Sequence, residues 1–100
     1  MRHRVLLALI MLVAAGTVLA ADTTVSIREG QFAPRRVRIK VGDTVTFRND
    51  DDRDHRVQSD DFDSGNLKAG QSYDRRFTRK GTYPYRCARH PRETGSVVVE

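Results

Sequence analysis

The residues beyond position 21 predict an all-β fold, a small two-layer sandwich. Three observations carry this expectation. Apolar and polar residues alternate in short runs, turn-forming residues recur at near-regular intervals, and no stretch places apolar residues at helical spacing. The clearest run is Arg36 to Val41, where Val37, Ile39 and Val41 share one face and Arg36, Arg38 and Lys40 the other, the period of a half-buried strand. Turn signals fall at Gly30, Pro34, Gly42, Asn49 to Asp54, Ser64-Gly65, Gly70 and Gly81. Their spacing of about 8–12 residues suits a sandwich or barrel.

Taken in order, a first strand is expected over Thr24 to Arg28, ended by the turn at Gly30. The second is Arg36 to Val41, and after the Gly42-Asp43 turn a third runs from Thr44 to Asn49 with Val45 and Phe47 continuing the inward face. A short strand follows over His55 to Gln58, then Ser72 to Thr78, Thr82 to Cys87 and Ser96 to Val99. Phe32, Phe47, Phe77, Tyr83 and Tyr85 read as packing residues of the core and its pole. The acidic run Asp50, Asp51, Asp52 and Asp54 lacks the glycine and closing glutamate of a calcium loop, so it reads as a solvated loop.

The chain has 100 residues and a net charge of +5. It opens with Arg2 and Arg4, an apolar run from Val5 to Val13 and then small residues. That is the layout of a secretory signal peptide over residues 1–21, with cleavage after Ala20 or Ala21, and of a single domain over 22–100. The processed chain would lose two arginines, leaving a net charge of about +3. So weak a charge on an exported chain argues against nucleic acid as a partner, and no membrane segment remains once the leader is gone. A domain this short buries only about 60–65% of its unfolded surface and gains from a staple. A disulfide is excluded because Cys87 is the only cysteine, and an unpaired thiol in an oxidising compartment calls for an occupant.

Every soft or borderline metal donor of the processed chain lies in one pattern. Cys87 and His90 flank the tight loop CARH, and His55 comes from a segment well upstream. One thiolate and two imidazoles form the donor set of a copper electron-transfer centre: thiolate favours Cu(I), and imidazole tolerates both oxidation states. No nucleophile and base, phosphate loop or acid and base pair stands out, so no enzymatic activity is expected.

On these residues the chain resembles the amicyanin-like and plastocyanin-like cupredoxins. The stretch FDSGNLKAGQSYDRRFTRKGTYPYRCARHPRETGSVVVE follows that family's succession of Phe-Asp-Ser-Gly, Gly-x-x-Tyr, Phe, Gly-Thr-Tyr-x-Tyr-x-Cys-x-x-His-Pro and Gly-x-Val-x-Val. The upstream NDDDRDHRV is similar to its asparagine followed by the first copper histidine. The resemblance implies a cupredoxin-like Greek-key β-sandwich and one type 1 copper ion cycling between Cu(I) and Cu(II) on His55, Cys87 and His90. It implies, too, that Asn49 ties the two ligand segments together. A periplasmic or otherwise secreted monomer is expected, exchanging electrons through His90 with a redox partner protein. Arg86, Arg89 and Arg92 around the loop would favour an acidic docking surface on that partner.

One position departs from the family. Where an axial methionine is usual, three residues after the second histidine, this chain has Glu93. Its only methionines are Met1 and Met11, within the leader. If Glu93 reaches the metal, a harder anionic donor stabilises Cu(II), lowers the potential and weakens the copper–thiolate bond, giving a green or red centre. If it turns outward to Arg89 or Arg92, three strong ligands remain, with the backbone carbonyl of Asp54 as a possible fourth. Cys, two His and Glu also form a closed tetrahedral zinc set, so a redox-inactive zinc domain or a copper carrier or storage protein is the alternative function.

Overall fold

Alternation of β-branched and polar residues gives eight strands in the computed structural model, which describes residues 21–100. The leader expected over residues 1–21 lies, save for Ala21, outside the described residues. The strands are β1 (Asp22–Arg28), β2 (Gln31–Ala33), β3 (Arg36–Ile39), β4 (Thr44–Asn49), β5 (Val57–Gln58), β6 (Ser72–Arg76), β7 (Gly81–Cys87) and β8 (His90–Val99). They form two four-stranded sheets, ordered β2-β1-β4-β6 and β3-β8-β7-β5. Both sheets are mixed: β1 runs parallel to β4, and β3 parallel to β8, while the other pairings are antiparallel. The expected all-β sandwich is what the chain adopts.

The core lies between the inward faces. Val25, Ile27, Val45 and Phe47 line the first sheet; Val37, Ile39, Tyr85, Cys87, Val97 and Val99 line the second. Burying a Val, Ile or Phe side chain contributes about 1.5–3 kcal/mol. Phe32 and Phe47 meet the Tyr85 ring edge-on, at 4.9 and 5.0 Å between centroids. Phe62 and Leu67, which no strand expectation covered, complete the core from the connection between β5 and β6.

Three expectations are corrected and one strand is added. Val41 is 46% exposed, because β3 stops at Ile39 and the chain turns at Lys40 to Asp43. The short strand β2 is an addition, paired with β1 through the Glu29-Gly30 turn. β5 starts at Val57, and His55 sits instead in an isolated bridge to Leu67. β8 begins at His90 rather than Ser96, since the CARH loop is a tight hairpin end.

Gly95 shows how tightly the core is set. A Cβ there would lie 2.6–2.7 Å from the ring of Tyr85, which Phe32 and Phe47 hold in place. Gly95→Ala should therefore lower stability by about 1–3 kcal/mol, the usual cost of overpacking. A denaturant titration checks this, and an unchanged midpoint would mean that the ring can move aside.

Candidate metal centre

The end of β4 and the end of β7 meet at one pole of the sandwich. Asn49, the last residue of β4, is fully buried, and its amide folds the following loop back on itself. Asn49 Nδ2 donates to the carbonyls of Arg53 at 2.7 Å and Leu67 at 2.8 Å, and its Oδ1 accepts from the Asp51 amide at 2.9 Å. The loop then delivers His55 into reciprocal backbone hydrogen bonds with Leu67, 2.9 and 2.7 Å long, which fix its side chain inward. Asn49 thus ties the His55 loop to the Leu67 segment, not to the Cys87 segment. The latter is held by the Ala88 amide donating to the carbonyl of Arg56 at 2.9 Å, next to the Val57–Cys87 pair of β5 and β7.

Cys87 and His90 pair across the β7–β8 hairpin, so their side chains leave the same face. The next pair is Arg86 with Thr94, which leaves Pro91, Arg92 and Glu93 as extra residues on β8. This register shift swings Glu93 inward. His55, Cys87, His90 and Glu93 consequently present four donor atoms within 4.8 Å of one another. Cys87 Sγ is 3.6 Å from the Nδ1 of both His55 and His90. Glu93 Oε1 is 3.7 Å from His55 Nδ1, and Oε2 is 3.9 Å from His90 Nδ1.

The residues fit a metal ion in two respects. With donor bonds of about 2.0–2.3 Å, trigonal or tetrahedral coordination sets neighbouring donors roughly 3.3–4.0 Å apart, and the four separations just given fall in that range. Both carboxylate oxygens of Glu93 are also buried without a hydrogen-bond partner. Separations of 3.7–3.9 Å are too long for hydrogen bonds. A buried carboxylate without donors carries a desolvation cost that a cation would offset. Burial pushes the Glu93 carboxyl above its ordinary range, against the attraction of His55 and His90.

A cupredoxin-like domain model matches residues 3–99 of this sequence. The chain is a cupredoxin. Amicyanin-alpha of Methylorubrum extorquens is 36% identical over 88 residues, covering 81% of this chain and 74% of that protein. Amicyanin of Paracoccus denitrificans is 36% identical over 97 residues, covering 87% and 72%. Among solved structures, the novel purple cupredoxin from Nitrosopumilus maritimus superposes with a TM-score of 0.75 at 33% identity, over 79% of this chain and all of that one. The amicyanin relatives support a copper-binding electron-transfer protein, and one copper ion is the cofactor that fits this cupredoxin's donor set.

All four side chains singled out from the sequence therefore come together, and Glu93 faces inward rather than toward arginine. Arg89 Nη2 donates to Asn66 Oδ1 at 3.3 Å, and Arg92 lies exposed beside Arg35 at a surface cleft. The donors differ in exposure: the side chains of His55 and Glu93 are each 1% exposed, that of His90 45%.

The acidic run is not simply a solvated loop, and here sequence reasoning missed a residue of the site. Asp51 Oδ2 lies 3.0 Å from His55 Nε2. An N–H on Nε2 donates to that carboxylate, which leaves Nδ1 free to face Cys87 and fixes the ring's orientation. The same bond, with the Asp52 amide next in weight, holds the Asp51 carboxyl below the usual aspartate range. Asp50 is engaged as well, by Arg48 and Ser26, and is lowered to about 2. A carboxylate four residues before a candidate histidine ligand was the available signal.

Proposed function

We propose that this cupredoxin is a periplasmic one-electron carrier in which His55, Cys87 and His90 would hold the copper and Glu93, at the position where the family usually has methionine, would be a fourth ligand. The observation that carries the reading is the convergence of one sulfur, two imidazole nitrogens and a donorless buried carboxylate at one pole. Bound copper would supply a Cu(I)/Cu(II) couple. The chain's own part is to keep the centre rigid and dry. Asp51 orients His55, the β7–β8 hairpin fixes Cys87 against His90, and burial keeps water from three of the four donors.

Electrons enter and leave at the solvent-facing edge of His90, the one ligand open to a partner. Arg86, Arg89 and Arg92 are exposed near it and would steer an acidic redox partner toward the pole, with association slowing as salt rises. Export is supported by the leader-like opening residues and by the unpaired thiol that a metal would protect. Among the described residues no helix is long and apolar enough to cross a membrane. Monomeric behaviour belongs to the same reading.

One observation favours a second reading. The four donors close a set with spacing that suits zinc equally well, which would make the domain redox-inactive. An optical and EPR spectrum of the Cu(II)-loaded protein separates the two. An intense visible band from thiolate-to-copper charge transfer is expected, and its absence would move the zinc or storage reading to the front.

A further inference from the structure

At the pole opposite the metal centre, where β4 begins, Asp43 is 9% exposed with its carboxylate turned into the fold. Oδ2 accepts from the Lys40 amide at 2.9 Å, and Oδ1 accepts from the backbone nitrogen of Ala21, also at 2.9 Å. Ala21 is held from its other side too, since its carbonyl accepts from the Thr44 amide at 3.1 Å. The parallel register of β1 on β4 continues directly from there with Asp22 opposite Thr44. Among the described residues, no lysine or arginine side chain forms an ion pair with Asp43. A nearly buried carboxylate bonded to two backbone amides thus takes one of them from Ala21, the residue where a leader would end.

From this we infer that the leader is removed between Ala20 and Ala21, and that the freed Ala21 α-ammonium becomes the counter-ion of Asp43. The inference rests on the proposal that the chain is exported. A leader peptidase of the export pathway would hydrolyse the Ala20–Ala21 amide. Water adds across the bond, leaving a carboxylate on Ala20 and an amine on Ala21 that takes up a proton at neutral pH.

Two arguments select this bond over the next one. Cleavage after Ala21 would leave Asp43 Oδ1 without its donor and the Thr44 amide without its acceptor, at a partly buried strand end. Cleavage after Ala20 keeps both bonds and turns the first, already charge-assisted through the ionised carboxylate, into one in which donor and acceptor both carry a charge. The peptidase rule of small residues at the first and third positions before the cut points the same way. Val18 and Ala20 satisfy it better than Leu19 and Ala21. The Asp43 carboxyl is already held below its usual value, chiefly by the Ala21 amide and then by that of Lys40, so it is ionised where the ammonium forms.

The test is to express the full chain with its own leader in a Gram-negative host and to determine the intact mass and N-terminal sequence of the product. A chain beginning at Ala21 is expected. One beginning at Asp22 overturns this inference while leaving export intact. One retaining Met1 in the cytoplasm overturns both. On the Ala21 protein, NMR titration of the α-amino group should give a value above the ordinary 7.7–8.0, even though Lys40 and Arg76 at the same pole oppose the shift. The value should fall in Asp43→Asn, and equal values in the two proteins would dismiss the ion pair. Should Asp43→Asn not fold, a chain engineered to begin at Asp22 should melt about 4–8 °C lower than the Ala21 chain; equal melting would again dismiss the pair.

Discussion

Glu93→Met should raise the reduction potential of the copper-loaded protein by on the order of 170 mV and shift its visible absorption toward blue. Glu93 lies 3.7 Å from the donor nitrogen of His55 and 3.9 Å from that of His90, so a charge held among these donors would lie within about 4 Å of the carboxylate. At about 4 Å and an effective dielectric of about 20, two unit charges interact by about 4 kcal/mol. A tenfold change is about 1.4 kcal/mol, or 59 mV for one electron, which gives that figure. Removing the charge loses more attraction for Cu(II) than for Cu(I), so the reduced state gains. A soft thioether acts in the same direction, and it returns covalency to the copper–thiolate bond, which moves the colour. Glu93→Gln is the control, as it removes the charge at nearly constant volume. Voltammetry and an optical spectrum read both effects, and an unchanged potential with an unchanged spectrum would place Glu93 outside the coordination sphere.

The same substitution should act oppositely on the metal-free protein. Burial raises the Glu93 carboxyl in the fold, so the metal-free fold binds its proton more tightly than the unfolded chain does. Stability from that proton is present at acid pH and is lost as pH climbs from the ordinary glutamate value near 4.3 through the raised one. Metal-free Glu93→Met should therefore melt higher than the parent at pH 7, with the gap narrowing toward pH 4.

Asn49→Ala should lower stability by about 3 kcal/mol, a large share of the roughly 4–12 kcal/mol expected for a domain of about 80 residues. The side chain is fully buried, so its loss leaves the carbonyls of Arg53 and Leu67 and the amide of Asp51 each short of a partner. The loop it organises carries both His55 and the carboxylate that orients it. Metal affinity should therefore fall along with the unfolding midpoint. A loss of stability with affinity fully retained would show that Leu67 and the His55 bridge position the histidine without Asn49.

Much of this molecule is legible in its order of residues, because the signals involved are local or chemical. Period-two alternation marks β1, β3, β4 and β7, since a strand half-buried between sheets must present one apolar face. The donor set was readable for a different reason: only one cysteine and two histidines follow the leader, so a thiolate and two imidazoles had few places to come from. The absence of a later methionine likewise singled out Glu93 without any coordinates. Val41 and β2 were misread or missed because strand ends depend on where the partner strand stops, which alternation does not record.

Tertiary structure alone decided how the site is supported. Whether Glu93 faced the other three donors or an arginine turned on the register shift that places Pro91 to Glu93 outside the β7–β8 ladder, a property of two strands together. That Asp51 serves His55 while Asp52 stays exposed turned on how Asn49 folds a loop whose aspartates look alike in sequence. The sequence by itself determined the alternating strands and the available donors, since pleat and ligand chemistry belong to individual residues. Which carboxylate is buried and which remains in water is set by long-range hydrogen bonds, and those exist only once the two sheets have closed.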